Sequence, residues 1–143
     1  MRLLAESESI HTDGTFSVTP LIFQQLYIIM GIVNGAPIAL VWCLCTHKDS
    51  ATYDEIFSVV IAEMQALGCS IKIKRAILDF EIGVTNSLRR NFGSDLKITY
   101  CFFHFTQNLF GNLKSLSLQK DYLASKEVQV HYFFLPILII VNV

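Results

Sequence analysis

Alternating blocks of β-branched and amphipathic sequence predict a mixed α/β fold. Its expected form is a five-stranded sheet flanked by helices, in the order βββαβαβα. Three observations carry this. Two long apolar runs meet at Asn34-Gly35, a hairpin signal. A helical pattern bounded by Thr52 and Gly68 follows them. Two strand-then-helix blocks then complete the chain, and crossovers of that kind build parallel pairings. Apolar residues make up 52% and charged residues 16% of 143 positions, which fits one domain with one core and excludes a disordered chain. The expected core spans residues 10–118, with 119–143 as a helical insertion or a tail.

Each element has its own warrant. Residues 1–9 read as weakly structured. Residues 10–18 (IHTDGTFSV) suit a strand, interrupted by Asp13-Gly14 and closed by Pro20. Residues 26–33 are apolar throughout, as expected of a strand covered on both faces, and residues 37–45 form its hairpin partner. Thr52 and Glu55 have capping-box spacing. Ile56, Phe57, Val60, Ile61, Met64 and Leu67 then share one helical face, and Gly68 is the stop. Residues 71–78 are a β-branched-rich strand that ends in acid, with Asp79 and Glu81 on either side of Phe80. A helix over 83–92 places Val84, Leu88 and Phe92 on one stripe, Arg89 and Arg90 in its last turn, and Gly93 after it. Residues 96–103 predict a fifth strand and 104–118 a further helix. The pattern weakens beyond Gln119, and 127–143 reads as the start of another helix, ended or kinked at Pro136. With right-handed crossovers, the strand carrying Asp79 lies parallel to the first strand and sets Asp79 near Asp13.

Charge and cysteine usage narrow the function classes. A net charge of -1 gives no basic surface for nucleic acid or anionic lipid, so a DNA-acting protein would need a local basic face or a separate binding module. Cys43, Cys45, Cys69 and Cys101 form no disulfide framework, and the N-terminus is too polar after Leu4 for a signal peptide; a reducing intracellular compartment is expected. The apolar run 132–141 falls short of the roughly 20 residues of a spanning helix and contains Pro136, so no membrane anchor is expected.

Asp13 and Asp79 are the principal candidate site. Neighbouring carboxylates repel unless one is protonated or a cation lies between them, and a few carboxylates with open positions suit Mg2+ or Mn2+. Two such ions can activate water and stabilise a leaving 3′-oxygen. The plain alternative makes Asp13-Gly14 a turn and Asp79 a strand-end or helix-cap residue. Cys101 and His104 have the spacing of half a metal site, but no second such pair exists, and a strand cysteine is usually a small core residue. His11, His47 and His131 read as surface residues. Lys72, Lys74 and Arg75 could follow a phosphate backbone, although solvated strand-end charge is the simpler account. No dinucleotide, nucleotide-triphosphate or hydrolase-elbow motif is present.

Five segments in order resemble the Mutator-like element transposase domain: DGTF (13–16) with the following Pro20, FQQLY (23–27), Thr52-Tyr53, LDFE (78–81) and CFFHFTQ (101–107). The resemblance covers residues 10–118. It implies a ribonuclease H-like fold and a cut-and-paste DNA transposase using an Asp, Asp, Glu triad with Mg2+ or Mn2+. By motif match Asp13 and Asp79 would be the first two acids and metal ligands. Cys101 and His104 would shape the site, and Glu81 would not be the third acid. In the family that acid follows a helical insertion after the fifth strand, which 119–143 resembles only at its start. The resemblance therefore implies a core truncated at its C-terminus and inactive alone. It implies further a nuclear protein that reaches transposon ends through a DNA-binding module outside this chain, with possible homo-oligomers of the full-length parent. A non-catalytic remnant serving in nucleic-acid or protein interaction, or a zinc module using Cys101 and His104, are the alternatives.

Overall fold

The structure is a computed structural model that describes residues 1–130. His131, the apolar run 132–141 and most of the expected 127–143 helix lie outside the described residues. The chain divides into two compact units, Met1–Tyr100 and one beginning at Cys101.

The first unit is mixed α/β. Its elements are α1 (Arg2–Glu6), β1 (Ser9–Thr15), β2 (Gln25–Val33), β3 (Ala36–Cys45), α2 (Ser50–Ala66), β4 (Arg75–Leu78), α3 (Ile82–Phe92) and β5 (Lys97–Tyr100). They form one mixed sheet in the order β3-β2-β1-β4-β5. β1, β2 and β3 are an antiparallel meander, while β4 runs parallel to both β1 and β5. The meander turns on Asn34 (φ 51°) and Gly35 (φ 80°), and two successive positive φ angles match the right-handed twist of the strands they join.

Alternation along β2 buries Gln25, Tyr27, Ile29 and Gly31 on one face and leaves Leu26, Ile28 and Met30 half-buried on the other. α2 packs on the first face. Its buried stripe is Tyr53, Phe57, Val60 and Met64. The Tyr27 ring lies 5.2 Å from Tyr53 and 6.3 Å from Phe57, and Phe57 meets Phe92 of α3 edge-on at 6.0 Å.

α2 and α3 are also joined by charge. Asp54 accepts hydrogen bonds from Ser87 Oγ (2.6 Å), Arg90 Nε (3.1 Å), Arg90 Nη2 (2.7 Å) and Asn91 Nδ2 (3.2 Å). Arg90 and then Ser87 hold the Asp54 carboxyl below its usual range. Asp49, which caps α2, is held low in the same way, chiefly by the Thr52 N–H. A carboxyl whose folded pKa is depressed contributes stability above its unfolded pKa, near 3.9, and loses it as pH falls through the lower folded value. Asp54→Asn is therefore expected to flatten the acid limb of the stability curve below about pH 4 while leaving the share due to Asp49. Thermal melts of both proteins across that range test this.

Several expectations need correction. Residues 1–9 are not loose: Arg2–Glu6 is helical and Leu4 and Ala5 are fully buried. β1 stops at Thr15 rather than reaching residue 18. The cap of α2 is Asp49, whose Oδ1 accepts from the Thr52 N–H and hydroxyl, both at 2.9 Å, so Thr52 is a donor inside the first turn and does not open a capping box. Tyr53 belongs to the α2 core stripe, whereas Leu67 lies beyond the helix and is exposed. β4 is shorter than 71–78 because the N–H groups of Lys72 and Lys74 bond to the carbonyls of Ala5 and Glu8. β5 ends at Tyr100 rather than residue 103.

The second unit, described by itself, contains α4 (Phe102–Ser115) and α5 (Gln119–Ala124). Their contact includes an edge-on ring pair, Phe110 and Tyr122, at 5.9 Å. Among the described residues, no helix is long and apolar enough to cross a membrane.

Candidate functional site

Asp13 lies inside β1, not in a turn: Asp13 pairs with Ile28 and Gly14 with Tyr27 across the antiparallel ladder. The turn reading of Asp13-Gly14 is overturned, because strand pairing satisfies the backbone that a turn would have bent. Strand alternation puts Asp13 and His11 on the face opposite α2, and Gly14 on the α2 face. A Cβ at position 14 would lie 2.7 Å from Gln25 Oε1, so a side chain there would require the end of the buried Gln25 amide to shift. His11 is half-buried rather than a surface residue, and burial lowers its pKa.

Asp79 follows the last residue of β4. The parallel β1–β4 ladder pairs Ile10 with Ala76 and His11 with Ile77. The β1–β4 ladder ends at His11 and Ile77; its register, carried two residues further, would bring Asp13 level with Asp79, and both residues are half-buried. Asp79 is not the cap of α3; that position is held by Glu81. Asp79 instead shapes the bend that leaves the strand. Its Oδ1 accepts from the Phe80 N–H at 2.6 Å, and its carbonyl accepts from the Glu81 N–H at 2.7 Å. Phe80 stacks on Tyr100 of β5 at 4.8 Å and 16°.

A buried polar chain behind the acids had no counterpart in the sequence reading. Gln25 Nε2 donates to Tyr53 Oη (2.9 Å), and Tyr53 Oη donates to Glu81 Oε1 (2.8 Å). The directions follow from chemistry. A carboxylate only accepts, so the single phenol proton goes to Glu81 and the amide must present its NH2 group. Lys48 Nζ stands 3.5 Å from Glu81 Oε2 and 5.1 Å over the Phe16 ring. Burial, reinforced by the Glu81 hydrogen bond and charge and opposed by Gln25, pushes the Tyr53 hydroxyl well above the ordinary phenol range, so it stays a donor. Tyr27 is also pushed up, mainly by burial, with the negative charges of Glu81 and Asp13 among the smaller contributions. Thr52-Tyr53 and Asp79-Phe80-Glu81 were visible as sequence marks, but the Tyr53–Glu81 bond joins residues 28 apart and has no periodic signal.

The remaining candidates contribute differently. Cys101 is the N-cap residue of α4, not a strand residue, and makes no side-chain capping bond; His104 lies in the first turn of that helix. Both belong to the second unit. Burial pushes the Cys43 and Cys45 thiols up. Lys74 and Arg75 stand 3.6 and 3.9 Å from Glu8, at the start of β4. Four residues of strand rise, about 13 Å, separate Arg75 from Asp79, so these cations mark the far end of the strand. Among the described residues, no three His, Cys, Asp or Glu side chains gather as a metal-binding group. Compared with known proteins, the chain matches no family model and no curated relative.

Proposed function

We propose that this chain carries a ribonuclease H-like core of a Mutator-like transposase, in which Asp13 and Asp79 are two of the carboxylates serving DNA strand cleavage and transfer. The observation that carries the reading is the parallel β1–β4 register, which, carried two residues beyond its last pair, would bring Asp13 level with Asp79. The strand order β3-β2-β1-β4-β5, with an antiparallel meander and two parallel additions, supports it. The donor set fits a hard divalent cation: two carboxylates would hold Mg2+ or Mn2+ and leave positions for water and phosphate oxygens. When bound, such ions supply Lewis-acid stabilisation of the phosphate and an activated water. The protein's own part is to present one carboxylate from β1 and the other from the bend that directly follows β4, so that little reorganisation accompanies binding. DNA is proposed as the partner and the nucleus as the location, both by the resemblance.

A second reading has a specific observation in its favour. Among the described residues no three His, Cys, Asp or Glu side chains gather, and the second reading is a non-catalytic remnant serving in nucleic-acid or protein interaction. One experiment addresses both readings. Titrating Mn2+ into labelled protein is expected to broaden the amide signals around Asp13 and Asp79 together, and Asp79→Asn is expected to abolish the effect. Incubation of the same sample with supercoiled DNA is expected to give no nicking. Independent responses of the two segments would end the paired-acid reading; nicking lost in Asp79→Asn would end the non-catalytic one.

A further inference from the structure

We propose that Gln25, Tyr53 and Glu81 form a strut that fixes the two carboxylate-bearing segments relative to one another, a proposal that rests on the metal-binding reading of Asp13 and Asp79. All three would be positioning residues.

The geometry begins at the short connection between β4 and α3. Asp79, Phe80 and Glu81 span it, so the placement of Asp79 past the end of its ladder depends on how Glu81 is held. An acid at an N-cap ordinarily accepts from the N–H groups of its own helix. Glu81 makes no such bond and is committed instead to Tyr53 Oη at 2.8 Å, with Lys48 alongside at 3.5 Å. Tyr53 is fully buried in the α2 core stripe, so this anchor moves only if the core does. At its other end Tyr53 accepts from Gln25, which is also fully buried and whose Oε1 lies against Gly14. The chain of contacts therefore runs from the residue after Asp13 to the second residue after Asp79. Stacking of Phe80 on Tyr100 braces the same connection from β5. Groups that orient metal ligands without touching the metal typically govern affinity by 10–100-fold.

The test uses the whole chain in three variants. Tyr53→Phe removes one oxygen at constant ring volume. Glu81→Gln keeps an oxygen that can accept from Tyr53, and Glu81→Ala removes it. The first readout is Mn2+ affinity, measured by electron paramagnetic resonance of the free ion. The second is slow-exchange broadening of the Asp79 and Phe80 amides in metal-free protein. Tyr53→Phe and Glu81→Ala are expected to weaken Mn2+ binding on the order of tenfold and to broaden those amides, while Glu81→Gln restores both to near wild type. Wild-type affinity with sharp amides in Tyr53→Phe would overturn the strut, as would a Glu81→Gln variant as impaired as Glu81→Ala. If wild type takes up no Mn2+ yet Tyr53→Phe still broadens the amides, the metal reading falls and the strut stands.

Discussion

Phe57→Ala is expected to lower the unfolding free energy by about 3–5 kcal/mol, the usual cost of deleting a fully buried phenyl group. Phe57 has no exposed surface and meets Tyr27 from the sheet and Phe92 from α3. Its loss removes the transfer free energy of the ring and leaves a void that three separate elements border and cannot easily close. The pinned Tyr53 next to it resists collapse, because moving that ring breaks bonds to both Gln25 and Glu81. Domains of this size hold about 5–15 kcal/mol in total, so the variant should sit near the edge of folding. Chemical denaturation followed by tyrosine fluorescence or circular dichroism measures it. A loss under about 1 kcal/mol would mean that the α2 face is not the core described here.

The second large effect concerns Gly14. An alanine there gains about 0.5–1 kcal/mol of backbone preference in a strand, so a glycine with no other role would be improved by the change. The close approach of Gln25 Oε1 reverses the sign. The amide could swing away from the new methyl only by releasing Tyr53, and a buried polar group left unpaired costs about 1–3 kcal/mol. Gly14→Ala is thus expected to lose about 1–2 kcal/mol on balance. In a Gln25→Ala background the same change is expected to become neutral or stabilising. This double-mutant cycle separates a clash with Gln25 from a general intolerance of side chains in β1. An equal loss in both backgrounds would refute the specific contact.

These contacts show what the sequence could and could not disclose. The meander, α2 and α3 were legible because their signals are local: Asn34-Gly35 demands positive φ twice, and the α2 and α3 stripes repeat at helical period. The cap of α2 was misplaced by three residues because Asp49 and Thr52 are both capping types, and only the observed bond distinguishes acceptor from donor. α1 was missed because five residues are too few for periodicity, and its burial against the sheet is tertiary. Phe102 and Phe103 extended the expected fifth strand because a short apolar run suits either a strand or the first turn of a helix. Asp13 and Asp79, the candidate acids, were identifiable by residue type and expected strand position. The tie from Gln25 through Tyr53 to Glu81 was not, since it links a strand, a helix and a loop whose only relation is spatial.

The register of β1 also bears on how the molecule folds. One side of β1 zips to β2 across a nearby connection, whereas its other side waits for β4, which arrives only after β2, β3 and α2 have been laid down. Closing that longer loop costs more chain entropy, and only three residue pairs secure it. Asp13 and Asp79 each follow the last pair of that ladder by two residues, so both lie at the end of the least local seam of the sheet. A divalent ion shared between them would bind the closed seam and not the open one, so its binding free energy would add to folding free energy, about 2.7 kcal/mol at a hundredfold excess over Kd. In such a protein the ion would act as a clasp as well as a reagent.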